Sequence, residues 1–270
     1  MDTTKMRVLA PTFSNLVKLS LRRLNLLREI CCGPYEKLQS GSLENLETIH
    51  VEECPGICSL FLAIMLQRLY KVKEVTIQSC NKLEEIFQLD RFCHRREENL
   101  AMLSSLAKLD LANLPQLRCI WKGPTHIVNL KSLTIVIVRE CKSLIYLFTL
   151  SVAQSLVQLK SLKVSGCERL KHLLMKEGDD DKEEEILSES HHAVIVLPNL
   201  AKLSIERLPH LRCIWNGPSY HVNLPSLTDV EVRECKTLTY VFTLSYVWSL
   251  VRLKSLKIAG CENLEHLVIT

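Results

Sequence analysis

The sequence predicts an α/β solenoid, with a parallel β-sheet on the concave face and irregular segments or short helices on the convex face. Three observations predict it. One spacing of aliphatic residues returns from end to end of the 270-residue chain, the centre of each copy alternates apolar and polar side chains, and 47% of all residues are hydrophobic, enough for a large shared core.

The spacing is clearest from Leu130, where Leu133, Val136, Val138, Cys141, Leu144 and Leu147 follow as L-x-x-L-x-x-L-x-L-x-x-C-x-x-L-x-x-L. The same ladder starts at Leu43, Leu69, Leu156, Leu224 and Leu250, and copies without the cysteine start at Phe13, Leu103 and Leu197. These make about nine units, mostly about 26 or 27 residues apart, and resemble a leucine-rich-repeat horseshoe. The x-L-x-L-x centre has period two, so it forms a short strand with its aliphatic side chains turned inward. The later L-x-x-L steps carry the chain back along the convex side, where Ser151–Leu156 is expected to form a turn of helix. No unit buries its own leucines, so the units must stack, and residues 1–270 are expected to form a single domain.

The twelve cysteines fit this scheme. Cys54, Cys80, Cys141, Cys167, Cys235 and Cys261 each occupy the same ladder position, where a small thiol meets backbone groups as the chain turns off the strand. One cysteine per unit is not the C-x-x-C pairing of a metal site, and Cys31, Cys32, Cys58, Cys93, Cys119 and Cys213 show no ligand-like spacing either. The stretch Met1–Met6 lacks the apolar segment of a secretory signal, so reduced thiols and a cytoplasmic or nuclear location are expected. The longest apolar run, Ile57–Leu66, is about half of what a bilayer span needs, so no membrane span is expected.

A larger duplication overlies the small one. Residues 103–175 match residues 197–269 at 46 of 73 positions, which marks a recent internal copy of three units. The period breaks twice, and the extra residues are expected to leave the solenoid as loops over 88–102 and 176–196. The second carries the acidic run from Glu177 to Glu185, whose like charges repel and which has little to bury.

Motifs for chemistry are missing. No glycine is followed by lysine, so there is no phosphate loop, and neither G-x-S-x-G nor H-E-x-x-H occurs. His191 and His192, beside Glu189 and Asp181, sit in the acidic insertion, which preorganises a metal site poorly. The expectation is therefore no catalytic residue, no metal and no cofactor. A formal charge of +4, spread along the chain rather than gathered in a stripe, gives no case for nucleic acid.

Function is expected on the outward strand positions, which a rigid array presents together. Within the duplicated blocks Ile135 and Ile137 have become Asp229 and Glu231, while the inward neighbours stay apolar. The candidate partner-binding residues are Ile135, Ile137, Arg139, Lys163, Lys202, Glu206, Asp229, Glu231 and Arg233. Trp121 and Trp215 are expected to pack as structural residues on the convex side or rim.

The cysteine ladder, the L-P-x-L-x-x-I-W segments Leu114–Trp121 and Leu208–Trp215, and the stretches Leu147–Ser151 and Val241–Ser245 together resemble the leucine-rich repeats of plant coiled-coil nucleotide-binding disease-resistance proteins. The resemblance covers essentially the whole chain. It implies a sensing region that contacts a pathogen effector or a guarded host protein and, through the nucleotide-binding domain of the same receptor, helps to hold that receptor inactive. A second reading keeps the solenoid and makes it a substrate adaptor of a ubiquitin ligase. Little length remains outside the first and last ladders for polar caps, so apolar core is expected to be exposed at one or both ends.

Overall fold

The computed structural model describes residues 13–30, 42–89, 102–175, 193–215 and 220–269. Nine five-residue strands form one parallel sheet: β1 (Lys18–Arg22), β2 (Thr48–Glu52), β3 (Glu74–Gln78), β4 (Lys108–Ala112), β5 (Ile135–Arg139), β6 (Ser161–Ser165), β7 (Lys202–Glu206), β8 (Asp229–Arg233) and β9 (Ser255–Ala259). Strand order in space is strand order in sequence. Each strand pairs with the next without slippage, first residue against first residue, so the five positions become five columns running the length of the solenoid.

The second and fourth columns hold the core. From Ile49 and Val51 through Val230 and Val232 these side chains are at most 2% exposed, because each is covered by the same column in the coils above and below. The ladder leucines close the core from the other side. In β1 and β9, which among the described residues have a neighbour on one side of the sheet, the same columns are only half-buried, and Leu26, Trp248 and Val251 are exposed.

Each strand ends in the same way. The residue after it, from Arg23 and Glu53 through Glu234 and Gly260, is left-handed, with φ between 52° and 68° in all nine coils. Eight of these residues donate their backbone N–H to the last carbonyl of the next strand at 2.8–3.0 Å, which extends the ladder by one bond. That bond holds seven non-glycine residues in a conformation that costs an L-residue roughly 1–2 kcal/mol. Two residues further on, the ladder thiol turns back on the strand. Cys54, Cys80, Cys141, Cys167 and Cys235 donate to the carbonyl two residues upstream at 3.4–3.5 Å, and Cys261 does so at 3.8 Å. Burial pushes the Cys80 thiol up to about 11 and the Cys235 thiol to about 12, and a hydrogen bond with Cys167, together with burial, raises that of Cys141. Cys80, Cys141 and Cys235 are protonated packing groups.

The convex side is more regular than the sequence indicates. Short parallel strands run there as well: Phe61–Leu62, Glu85–Gln88 and Cys119–Lys122 in one sheet, and Tyr146–Thr149 beside His172–Met175 in another. Phe61, Phe87 and Trp121 lie in register on the first of these and stack at 5.5 and 4.7 Å between centroids, which accounts for Trp121 as a packing residue. Helical turns are brief: α1 (Ala63–Leu66), α2 (Leu150–Gln154) and α3 (Leu244–Val247). The expected turn at Ser151–Leu156 is therefore present, starting one residue early and ending before Ser155.

The insertion boundaries need correction. Ala193–Val196, expected as loop, is a strand paired with Tyr220–Asn223, anchored by Ile195, which is fully buried between the exposed Val194 and Val196. Gln88 closes the strand Glu85–Gln88, and Met102 bridges Val128. Residues 90–101 and 176–192, including His191, His192 and the acidic run, lie outside the described residues.

Candidate protein-binding face

The first, third and fifth columns of the long sheet point away from the core. The nine candidate residues fall on four consecutive strands: Ile135, Ile137 and Arg139 on β5, Lys163 on β6, Lys202 and Glu206 on β7, and Asp229, Glu231 and Arg233 on β8. Lys163, Lys202, Asp229 and Arg233 are exposed and Ile135 is 36% exposed, while the other four are half-buried. Outward does not always mean solvated. Thr76, Asp110 and Ser165 occupy outward positions and are nevertheless buried, since neighbouring strands are only about 4.8 Å apart and flanking long side chains lie over short ones.

Most charges on the face are neutralised within it. Glu52 takes Arg22 at 2.5 Å and His50 at 3.2 Å, and these two hydrogen bonds, that of His50 first, hold its carboxyl below the usual range. Lys108 pairs with Glu74 at 2.6 Å, Arg139 with Asp110 at 2.9 Å, and Arg233 with Glu231 of its own strand at 2.6 Å. The copies therefore differ in wiring as well as in composition. Arg139 reaches back one strand, whereas its counterpart Arg233 stays on β8, where the carboxylate of Glu231 replaces the aliphatic side chain of Ile137.

Along the sheet edge, the left-handed positions carry a second row of polar groups that the sequence reading did not single out. Arg23 pairs with Glu53 at 2.8 Å, Asn113 donates to Ser79 at 3.2 Å, and Arg207 pairs with Glu140 at 3.0 Å. Its signal was available in principle, as the position one beyond each x-L-x-L-x centre, where Gly166 and Gly260 stand. Some scaffold bonds are preserved between the duplicated blocks. Ser155 and Ser249 each receive a backbone N–H, from Leu130 and Leu224, and Thr134 and Thr228 each donate to the carbonyl of an alanine, Ala107 and Ala201.

Among the described residues, no group of three or more His, Cys, Asp or Glu side chains is arranged to hold a metal, and no helix is long and apolar enough to cross a membrane. The outward face is largely polar and patterned by charge.

Comparison with solved structures finds an internalin from Listeria monocytogenes, 14% identical, covering 94% of this chain and 87% of that one with a TM-score of 0.27. No curated protein matches the chain. The family model described as plant disease resistance protein RPS2-like, leucine-rich repeats, matches residues 15–168 and again residues 161–262, so that both duplicated blocks and the units before them are included. The chain belongs to the leucine-rich-repeat family of RPS2-like plant disease-resistance proteins.

Proposed function

We propose that this repeat region is the protein-recognition module of a plant immune receptor, acting in the cytoplasm. It senses a pathogen effector or a guarded host protein, and contact with the nucleotide-binding domain of the same receptor keeps that receptor inactive until then. The observation that carries this reading is where the duplicated blocks differ. On β5 and β8 the inward columns remain aliphatic, while two of three outward positions change from isoleucine to carboxylate. Within this strand pair the change is confined to the presented face, which supports a surface adapted to partners on a scaffold held constant by packing.

The test is co-immunoprecipitation of the full chain, in plant cells, with the nucleotide-binding domain of an RPS2-like receptor and, separately, with a ubiquitin-ligase scaffold subunit. Association with the first, weakened by Glu206→Lys and Arg233→Glu, is the expected result. Association with the ligase scaffold alone would overturn the reading.

A further inference from the structure

We propose that the centre of the concave face, on β5 to β7, docks an extended protein segment that carries one large apolar side chain and carboxylates about three residues away from it. The proposal rests on the reading of this face as a protein-binding surface and names the chemistry of its partner.

Three observations carry it. Ile135 and Ile137 are the only large apolar side chains at outward positions anywhere on the nine strands, and Ile135 is 36% exposed on an otherwise polar sheet. Beside them stand Lys163 and Lys202. From β2 to β8 every other basic side chain at an outward position has a carboxylate partner within the sheet: His50, Lys108, Arg139 and Arg233. Lys163 and Lys202 are exposed and have no ion-pair partner among the described residues. Ile137 faces Lys163 directly in register, and Lys163 faces Ser204, so no carboxylate separates the aliphatic pair from the two ammonium groups.

The third observation is an internal contrast. The copied strand β8 places Asp229 and Glu231 where Ile135 and Ile137 stand, and Arg233 folds onto Glu231 at 2.6 Å. The same scaffold thus carries two surfaces, one apolar and cationic, the other acidic and partly self-neutralised. Only the first leaves a desolvatable patch beside lysines that form no ion pair among the described residues, Lys163 with no carboxylate across its register and Lys202 facing Asp229.

The dimensions select the ligand. Strands about 4.8 Å apart put β7 about 10 Å from β5, the distance that three residues of extended chain cover. A leucine, isoleucine or phenylalanine against Ile135 and Ile137 therefore brings an acidic residue about three positions away over Lys202. A nucleic-acid strand fits less well, because the patch offers no aromatic ring for a base to stack on.

Fluorescence polarisation with the full chain tests this. The probes are a labelled peptide with leucine flanked by aspartates and glutamates, the same peptide with lysine replacing each acid, the acidic peptide with serine replacing leucine, and a single-stranded RNA of equal charge. The expected result is that only the first binds appreciably, more weakly as salt rises. Lys163→Glu with Lys202→Glu should lower its affinity about tenfold or more. Ile135→Ser with Ile137→Thr should do the same while leaving the melting curve nearly unchanged, because both side chains point out of the core and no new charge is set against Asp110. Equal binding of all peptides, preference for the RNA, or indifference to both double variants would overturn the proposal. If the peptides fail but Glu206→Lys and Arg233→Glu still release a cellular partner, the face binds by other chemistry and the proposed function stands. If no variant of the face affects capture, both fall.

Discussion

Arg207 donates through Nη2 to Glu140 Oε1 at 3.0 Å, although the two residues are 67 positions apart. Both occupy the left-handed position after a strand, β7 and β5 respectively, and the coil of β6 lies between them. That coil carries Gly166, and a Cβ there would sit 2.2 Å from the Glu140 carboxylate oxygen. The absent side chain is what lets the ion pair bridge a whole coil.

Gly166→Ala should therefore cost more than Gly260→Ala. Both force an L-residue to positive φ, worth about 1 kcal/mol, but at Gly260 the nearest side-chain atom is the flexible Glu234 Cγ at 3.2 Å. Urea denaturation of the two variants should show the larger drop at Gly166, partly recovered by adding Glu140→Ala. Equal costs would mean that the bridge contributes nothing.

The ladder thiols should resist modification. Cys54, Cys80, Cys141, Cys167 and Cys235 are buried, and the values of Cys80 and Cys235 lie near 11 and 12, so almost no thiolate exists at neutral pH. Cys58 is exposed and should be alkylated before any of these five. Mass-spectrometric mapping after brief iodoacetamide treatment checks the order, and early labelling of Cys141 would contradict it.

The same thiols set an alkaline limit. The folded values of Cys80 and Cys235 lie above the ordinary 9.0, so their contribution to stability is complete below about pH 9 and is lost as pH rises through about 11 to 12. Thermal melts should fall over that window. Replacing Cys80 and Cys235 with alanine should flatten the decline.

Arg139 is a structural partner as well as a candidate contact. Asp110 is only 8% exposed, so Arg139→Glu sets a second carboxylate against a nearly buried one and should destabilise the chain by about 1–2 kcal/mol. Adding Asp110→Asn should restore most of the loss in chemical denaturation. No recovery would mean that Asp110 is not the residue that matters.

Inward and outward neighbours on one strand should respond very differently. Val136, fully buried, should cost about 2 to 3 kcal/mol when cut to alanine, whereas Ile135→Ala should stay within roughly 1 kcal/mol. Hydrogen exchange should show the Val136→Ala loss spreading into β4 and β6, since each coil is covered only by its neighbours.

The repeat made much of this legible in advance. All nine strands begin and end where the x-L-x-L-x centres stand, and the six ladder cysteines bond the turn as their position implies. Less legible were convex strands such as Tyr146–Thr149, which is buried along its whole length and so shows no period-two pattern. The strand at Ala193–Val196 was hidden by the charged run before it. The left-handed row escaped notice because seven of its nine residues are not glycine.

By itself the sequence determined which side chains face inward and how many coils stack, because a period-two pattern inside a fixed repeat leaves each aliphatic row a single place to go. Only the tertiary structure decided which outward charges remain free. Pairing depends on what the next coil places a strand's width away, so Arg139 is bound to Asp110 while Lys163 and Lys202 stand open, and no reading along one strand distinguishes them.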